Sequence, residues 1–305
     1  VDLLDPFRPL TLEERKQLCE RPLAPPRSPG QDCWNRLRRN RPFMMGALLL
    51  SLLLLTSLLA PLLCSSTYYD THLELKNLPP SSRFWFGTDE LGRDLFVRVW
   101  WGARISLFVA ITASLMDLVI GVVYGAIAAS FGGRAEALLM RIADILYSIP
   151  YLLIVILLMV VIGPGLLTII LALATTGWIG MARMVRAQIL QTKRQEFVLA
   201  ARSYGASRLR IMWRELIPSC TAPIIATLTL TIPTAIFAEA FLSFLGLGVQ
   251  APIASWGAMA SDGLPALRYY PWRLFFPAGF ISLTMLGFHL LGDGLQEAFD
   301  PRLRR

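Results

Sequence analysis

Residues 145–182 read ILYSIPYLLIVILLMVVIGPGLLTIILALATTGWIGMA, thirty-eight consecutive positions without a charge. As one helix at 1.5 Å per residue they would extend about 57 Å, against about 30 Å for the hydrocarbon core of a bilayer. The segment must therefore fold back, and Gly163-Pro164-Gly165 is the only strong breaker near its middle. Two spans joined by a short external turn are expected. The composition of the 305-residue chain agrees, at 55% apolar and only 16% charged residues, with mean hydropathy +0.54. A soluble domain carries about 25% charged residues, so most of this surface must face lipid. The net charge of +8 would suit nucleic acid if it were spread out. Eight of the cations instead lie between Arg183 and Arg214, opposed by Glu196 alone, which is a topology signal and points to no nucleic-acid partner. Cys19, Cys33, Cys64 and Cys220 show neither metal spacing nor a paired framework. A soluble enzyme is excluded.

The remaining spans follow outward from this pair. Residues 1–30 are polar and carry no secretory signal pattern, with Pro22, Pro25, Pro26 and Pro29 opposing a helix. A cytoplasmic tail is expected over 1–35. The first span, 42–64, lies behind Arg36, Arg38, Arg39 and Arg41, which hold the N-terminus inside. Residues 65–101 form an external loop, and 102–131 a second span with Asp117 deep within it. Residues 102–293 are expected to form one transmembrane domain with five further helices and a basic cytoplasmic loop at 183–218. The fifth span starts at Pro218 and the sixth covers about 272–291. A cytoplasmic tail, 294–305, holds Arg302, Arg304 and Arg305. The expected fold is an all-α membrane protein of six transmembrane helices, with both ends inside.

The basic loop is the most informative segment. Phe197, Ala200, Ala201 and Tyr204 recur at helical spacing and predict a short helix with one apolar face. Gly205 interrupts it, where the chain needs a conformation closed to side chains. Ser207 is placed to cap a second helix, in which Leu209, Met212, Trp213 and Leu216 repeat at i, i+3, i+4, i+7, and Pro218 closes the motif. Periodicity alone suits an interfacial connector between two spans.

The residue pattern adds more. Ala200-Ala201, then Gly205, then Leu216-Ile217-Pro218 resembles the E-A-A-x3-G-x9-I-x-L-P signature of ATP-binding-cassette importer permeases, with the signature glutamate falling on Leu199. The stretches 86–94 (FGTDELGRD), 102–107 (GARISL), 242–250 (LSFLGLGVQ) with 255–257 (SWG), and 292–295 (GDGL) through 300–302 (DPR) resemble the peptide/nickel permease group, C-type subunit. The resemblance covers about 32–305. It implies a type I importer permease fold in a bacterial inner membrane. It also implies a homologous B-type permease, two ABC ATPase subunits and an external solute-binding protein as partners. ATP and magnesium would be held by the ATPase chains, with no cofactor or metal bound directly. In such a family Ala200, Ala201, Gly205, Ala206, Ser207 and Arg208 would meet the ATPase. Peptide is the implied cargo, with nickel or another small solute as the alternative.

Ionisable residues inside spans usually face a bundle interior or a wet cavity. Asp117, Glu239 and His289 are candidates for a translocation path, although a helix–helix hydrogen bond serves Glu239 equally well. Asp144, three residues after Arg141, reads as an interfacial group. In the external motif Gly87, Thr88, Asp89, Gly92, Arg93 and Asp94 could receive a binding protein, or could tie the loop down through internal ion pairs, the reading favoured here. No phosphate-cradling G-x-x-x-x-G-K-[ST], H-E-x-x-H or G-x-S-x-G occurs, so ATP hydrolysis is expected elsewhere. The competing class is a secondary transporter or channel without ATPase partners, which internal inverted repeats would favour.

Overall fold

The computed structural model describes residues 29–64, 66–250 and 252–299, and among these it is helical with no strand. The tail up to residue 28 and the basic end Arg302, Arg304 and Arg305 lie outside the described residues. Helix α1 (Pro29–Arg39) begins within the segment expected to be tail, because a proline at the first helical position lacks only an N–H that would be unpaired anyway. Helix α2 (Arg41–Leu63) is capped by Asn40, whose side chain accepts from the Phe43 N–H at 2.9 Å. Pro61 lies inside α2 and cannot donate to the carbonyl of Ser57. Arg104 Nε donates to that carbonyl instead, at 2.8 Å, and its Nη2 donates to Leu58 O at 2.9 Å.

Helix α3 (Leu95–Phe131) is 37 residues long and starts well before position 102, where the second span was expected to begin. Asp94 caps it through the Phe96 N–H at 2.9 Å. The early start brings Arg98 into the helix, and Arg98 is neutralised by Asp89 at 2.6 Å. Gly132 (φ +69°) and Gly133 (φ +57°) turn the chain into α4 (Gly133–Ser148). Helix α5 (Tyr151–Ile162) follows at a bend of 79°. Residues 145–162 are thus not one straight span: Pro150 holds the preceding Ile149 extended (φ −73°, ψ 126°) and breaks the helix.

The turn at 163–165 forms where expected, with Gly163 at φ +96°. Helices α6 (Leu166–Thr176) and α7 (Trp178–Thr192) together make one apolar run. The run continues past position 183, the expected start of the loop, because Arg183 and Arg186 are paired with Asp144 and Glu136 of α4. Gly121 and Gly125 let α3 approach α7 closely: a Cβ on Gly121 would lie 2.6 Å from Met181 Cβ.

Helices α8 (Glu196–Ser203) and α9 (Arg208–Ile211), a π turn (Met212–Leu216) and α10 (Ile217–Ser219) lead into α11 (Thr221–Phe244). Pro218 therefore does not end the motif. The wide turn precedes it, since Pro218 has no N–H for the carbonyl four residues back. Helix α12 (Trp256–Gly263) folds inward in the segment between α11 and α13, with Trp256 fully buried. Helix α13 (Trp272–Phe299) runs beyond 291 and makes 294–299 helical where a tail was expected. Five runs are long and apolar enough to cross a membrane (α2, α3, α6–α7, α11 and α13), and the bent pair α4–α5 makes a sixth if its two helices cross as one span.

Candidate functional site

The loop between α7 and α11 is built as a rigid corner. Gly205 sits at φ +77°, its N–H donating to Arg202 O at 2.9 Å, while the Ala206 N–H donates to Ala201 O at 3.1 Å. These two bonds close the C-terminus of α8 in a Schellman motif, which needs a left-handed residue after the cap. Ser207 then caps α9, its hydroxyl accepting from the Arg210 N–H at 3.3 Å. Val198, Ile211, Met212 and Leu216 are buried against Met181, Val185 and Ile189, with Ala201 and Ala206 packed on the edge of that cluster.

The two faces are not distributed as the spacing predicts. Phe197, Tyr204, Leu209 and Trp213 point outward, as does Leu199, and Ala200 is exposed among them. Val198, which lies off the apolar row set by the spacing, is the inward anchor. The reason is that α8 packs on α7 through a single row, leaving its other apolar side chains uncovered by this chain. Nothing lies within 4 Å of a Cβ added to Gly205, so the corner is open on its outer side.

The 86–94 motif is a closed clasp. Asp89 is buried and accepts at Oδ2 from Arg93 Nε and from Arg98 Nη1, each at 2.6 Å. Its Oδ1 accepts from the backbone N–H of Leu91 and Arg93, both at 2.9 Å. Thr88 Oγ1 accepts from Leu78 N–H at 2.8 Å and donates to Leu75 O at 2.5 Å. Gly87 and Gly92 both have positive φ, and Gly92 lies directly against the His72 carbonyl. Arg273, at the start of α13, reaches Glu90 Oε2 at 2.9 Å, Asn77 Oδ1 at 3.2 Å and Asp262 O at 3.1 Å. The sequence singled out Asp89, Arg93 and Asp94. It gave no signal for Arg98 or Arg273, whose partners come from other elements.

The three path candidates do not meet in one place. Glu239 is fully buried and accepts from Ser106 Oγ at 3.1 Å and Ser243 Oγ at 3.0 Å. Ser106 Oγ also accepts from the Trp256 N–H at 3.1 Å, so this carboxyl joins α3, α11 and α12. Asp117 is buried beside Gly177, at the break between α6 and α7, and its Oδ1 has no partner. His289 is exposed on α13, its Nδ1 2.7 Å from Met285 O. Asp144 pairs with Arg183 at 2.6 Å in a half-exposed position, consistent with an interfacial group.

A bundle of apolar helices with a rigid, outward-facing corner between two spans is the architecture of a transport permease. The chain belongs to the family described as binding-protein-dependent transport system inner membrane component, which matches residues 121–305. The N-terminal TM domain of oligopeptide transport permease C matches residues 28–80. The chain is 55% identical over 275 residues to the oligopeptide transport system permease protein OppC of Bacillus subtilis (strain 168), covering 90% of each chain. It is 54% identical to the dipeptide transport system permease protein DppC of the same organism, over 96% of this chain and 92% of that one. The OppC of Escherichia coli (strain K12) is 41% identical, over 91% and 93%. Among solved structures, inward-facing forms of the MetNI methionine ABC transporter align with TM-scores of 0.55 and 0.56 at 19% identity, over 65% of this chain and 95% of theirs. That likeness concerns the fold, the type I importer permease fold. The protein is a multi-pass component of the bacterial inner membrane.

Proposed function

We propose that this chain is the C-type permease of an ATP-driven peptide importer. It pairs with a homologous B-type permease, two ABC ATPase subunits that hold ATP and magnesium, and an external solute-binding protein. The observation that carries this reading is the row of uncovered apolar side chains on the 196–213 corner, in a chain 55% identical to an oligopeptide permease. Such side chains in water are unfavourable by about 25 cal/mol per Å² of apolar surface, and a groove on an ATPase subunit would cover them. Residues Ala200, Ala201, Gly205, Ala206, Ser207 and Arg208 form or border that surface. Leu199 presents an apolar group at the position where the resemblance expects glutamate, so docking here depends on apolar contact rather than on an ion pair at that residue.

Motion would enter through the same corner. Val198, Ile211 and Leu216 lock it to α7 and the root of α11, so displacement of α8 by an ATPase subunit moves two spans together. The external clasp acts as internal bracing for the binding-protein face, and Glu239 braces α3, α11 and α12.

The test is uptake by proteoliposomes holding the complete complex and its binding protein, with labelled oligopeptide and, separately, with nickel. ATP-dependent accumulation of peptide is expected. Peptide accumulation without ATP would point to a secondary transporter, and nickel uptake without peptide uptake would reassign the cargo.

A further inference from the structure

Behind the corner lies a cavity of about 430 Å³ lined by Ser130, Phe131, Lys193, Arg202, Arg208 and the apolar group Ile211, Met212 and Leu216. Every charged residue on its wall is a cation. Lys193 Nζ donates to the Ala129 carbonyl at the end of α3, which fixes the ammonium at the cavity wall. Among the described residues neither Arg202 nor Arg208 pairs with a carboxylate. Burial, then repulsion from Arg202, holds the Lys193 ammonium below the usual lysine range. Three cations thus share one wall that carries no carboxylate, although like charges at short range oppose one another. Glu136 acts on Lys193 from outside that wall and is itself paired with Arg186.

The rest of the wall narrows the ligand. Phe131 is the last residue of α3 and is largely exposed, so the cavity opens at the end of a helix long and apolar enough to cross a membrane. A lone inorganic anion would leave most of this volume and its apolar side unfilled. A phosphate carried on an apolar body fits both halves, and basic pockets beside spans on the cytoplasmic side are suited to anionic lipid headgroups.

We propose that the cavity bounded by Lys193, Arg202 and Arg208 is a phosphate-binding site for an anionic phospholipid of the inner leaflet, seated between the end of α3 and the coupling corner. The site rests on the cytoplasmic placement of the corner given above. A lipid held there would wedge α8 against α3 and make the corner's stiffness depend on membrane composition.

The experiment uses the complete complex in nanodiscs of mixed phosphatidylcholine and phosphatidylglycerol, with retained lipid identified by native mass spectrometry. Wild-type complex is expected to retain phosphatidylglycerol preferentially. Arg202→Gln and Lys193→Gln should each lower that retention about fivefold, the factor given by about 1 kcal/mol per basic residue at an anionic surface. Arg202→Lys, which keeps the charge, should retain it, and this separates lost binding from lost folding. Arg194→Gln changes an exposed cation of the same loop outside the cavity wall and should have no effect. Displacement of lipid by millimolar inorganic phosphate would keep the phosphate chemistry and assign its source to solution. No preference for phosphatidylglycerol in the wild type, or equal loss in Arg194→Gln, would overturn the site. Cross-linking of Arg202 to an ATPase carboxylate in place of lipid would do the same. Lipid retention is read independently of uptake, so a failure here leaves the transport reading to its own test.

Discussion

Asp89 carries two guanidinium groups on one carboxylate oxygen and two backbone N–H groups on the other, all within a buried clasp. Removing its charge leaves Arg93 and Arg98 buried and uncompensated, a kind of change that costs about 3–5 kcal/mol. Asp89→Asn is therefore expected to lower the thermal unfolding midpoint of the purified complex by several degrees and to reduce its yield. Asp94→Asn, which keeps a side-chain oxygen to cap α3, should be much milder. Equal midpoints for Asp89→Asn and wild type would mean that the clasp is not bracing the fold. At this scale the sequence was legible where partners are neighbours: Asp89 and Arg93 are four residues apart. Arg98, Arg104 and Arg273 were not legible, because each is satisfied by groups on another element. Nothing in the local pattern says that an arginine of one span will complete the carbonyl left open by a proline in another.

Gly205 turns α8 into α9 at φ +77° with no side chain pressing on it. Its requirement is thus conformational, and a β-branched residue there costs about 1–3 kcal/mol of backbone strain. Gly205→Val should insert normally, since no span is altered, but the Schellman closure should loosen and the outward face of α8 shift. ATP-driven uptake is expected to fall sharply, with ATPase subunits recovered in lower yield or hydrolysing ATP without transport. Gly205→Asn tolerates the left-handed region and should retain most of the activity. Wild-type uptake from the valine variant with stoichiometric ATPase would move the coupling site elsewhere. The helix–glycine–helix and the Ser207 cap could be read from sequence because both depend on local backbone chemistry. Which face of α8 points inward could not, because Val198 is chosen by what α7 offers. The ends of α3 and α7 are illegible for a related reason: a charge suggests a helix boundary in sequence, while Arg98, Arg183 and Arg186 are carried inside helices by paired carboxylates.

At the level of the whole molecule the topology turns on the bent pair α4–α5, since the other five runs each satisfy the length of a bilayer on their own. If the pair crosses, α6–α7 returns the chain to the inner side and the corner faces the cytoplasm, where the proposed ATPase subunits would sit. If the pair enters and leaves on the same side, α6–α7 would carry the corner outward, and the eight cations between 183 and 214 would lie outside against the positive-inside rule. The two arrangements differ in the side on which Ser207 lies, while Ser82 is outside in both. Ser82 lies in the loop before α3 and Ser207 in the corner, and both are exposed. Single cysteines at these positions, in a chain with the native cysteines replaced, should react with a membrane-impermeant maleimide from opposite sides. Ser82→Cys should label in intact spheroplasts and Ser207→Cys only after the membrane is opened. Labelling of both from outside would make α4–α5 a re-entrant pair. It would also remove the corner from reach of any cytoplasmic ATPase, because an apolar docking face works only in the compartment that holds its partner.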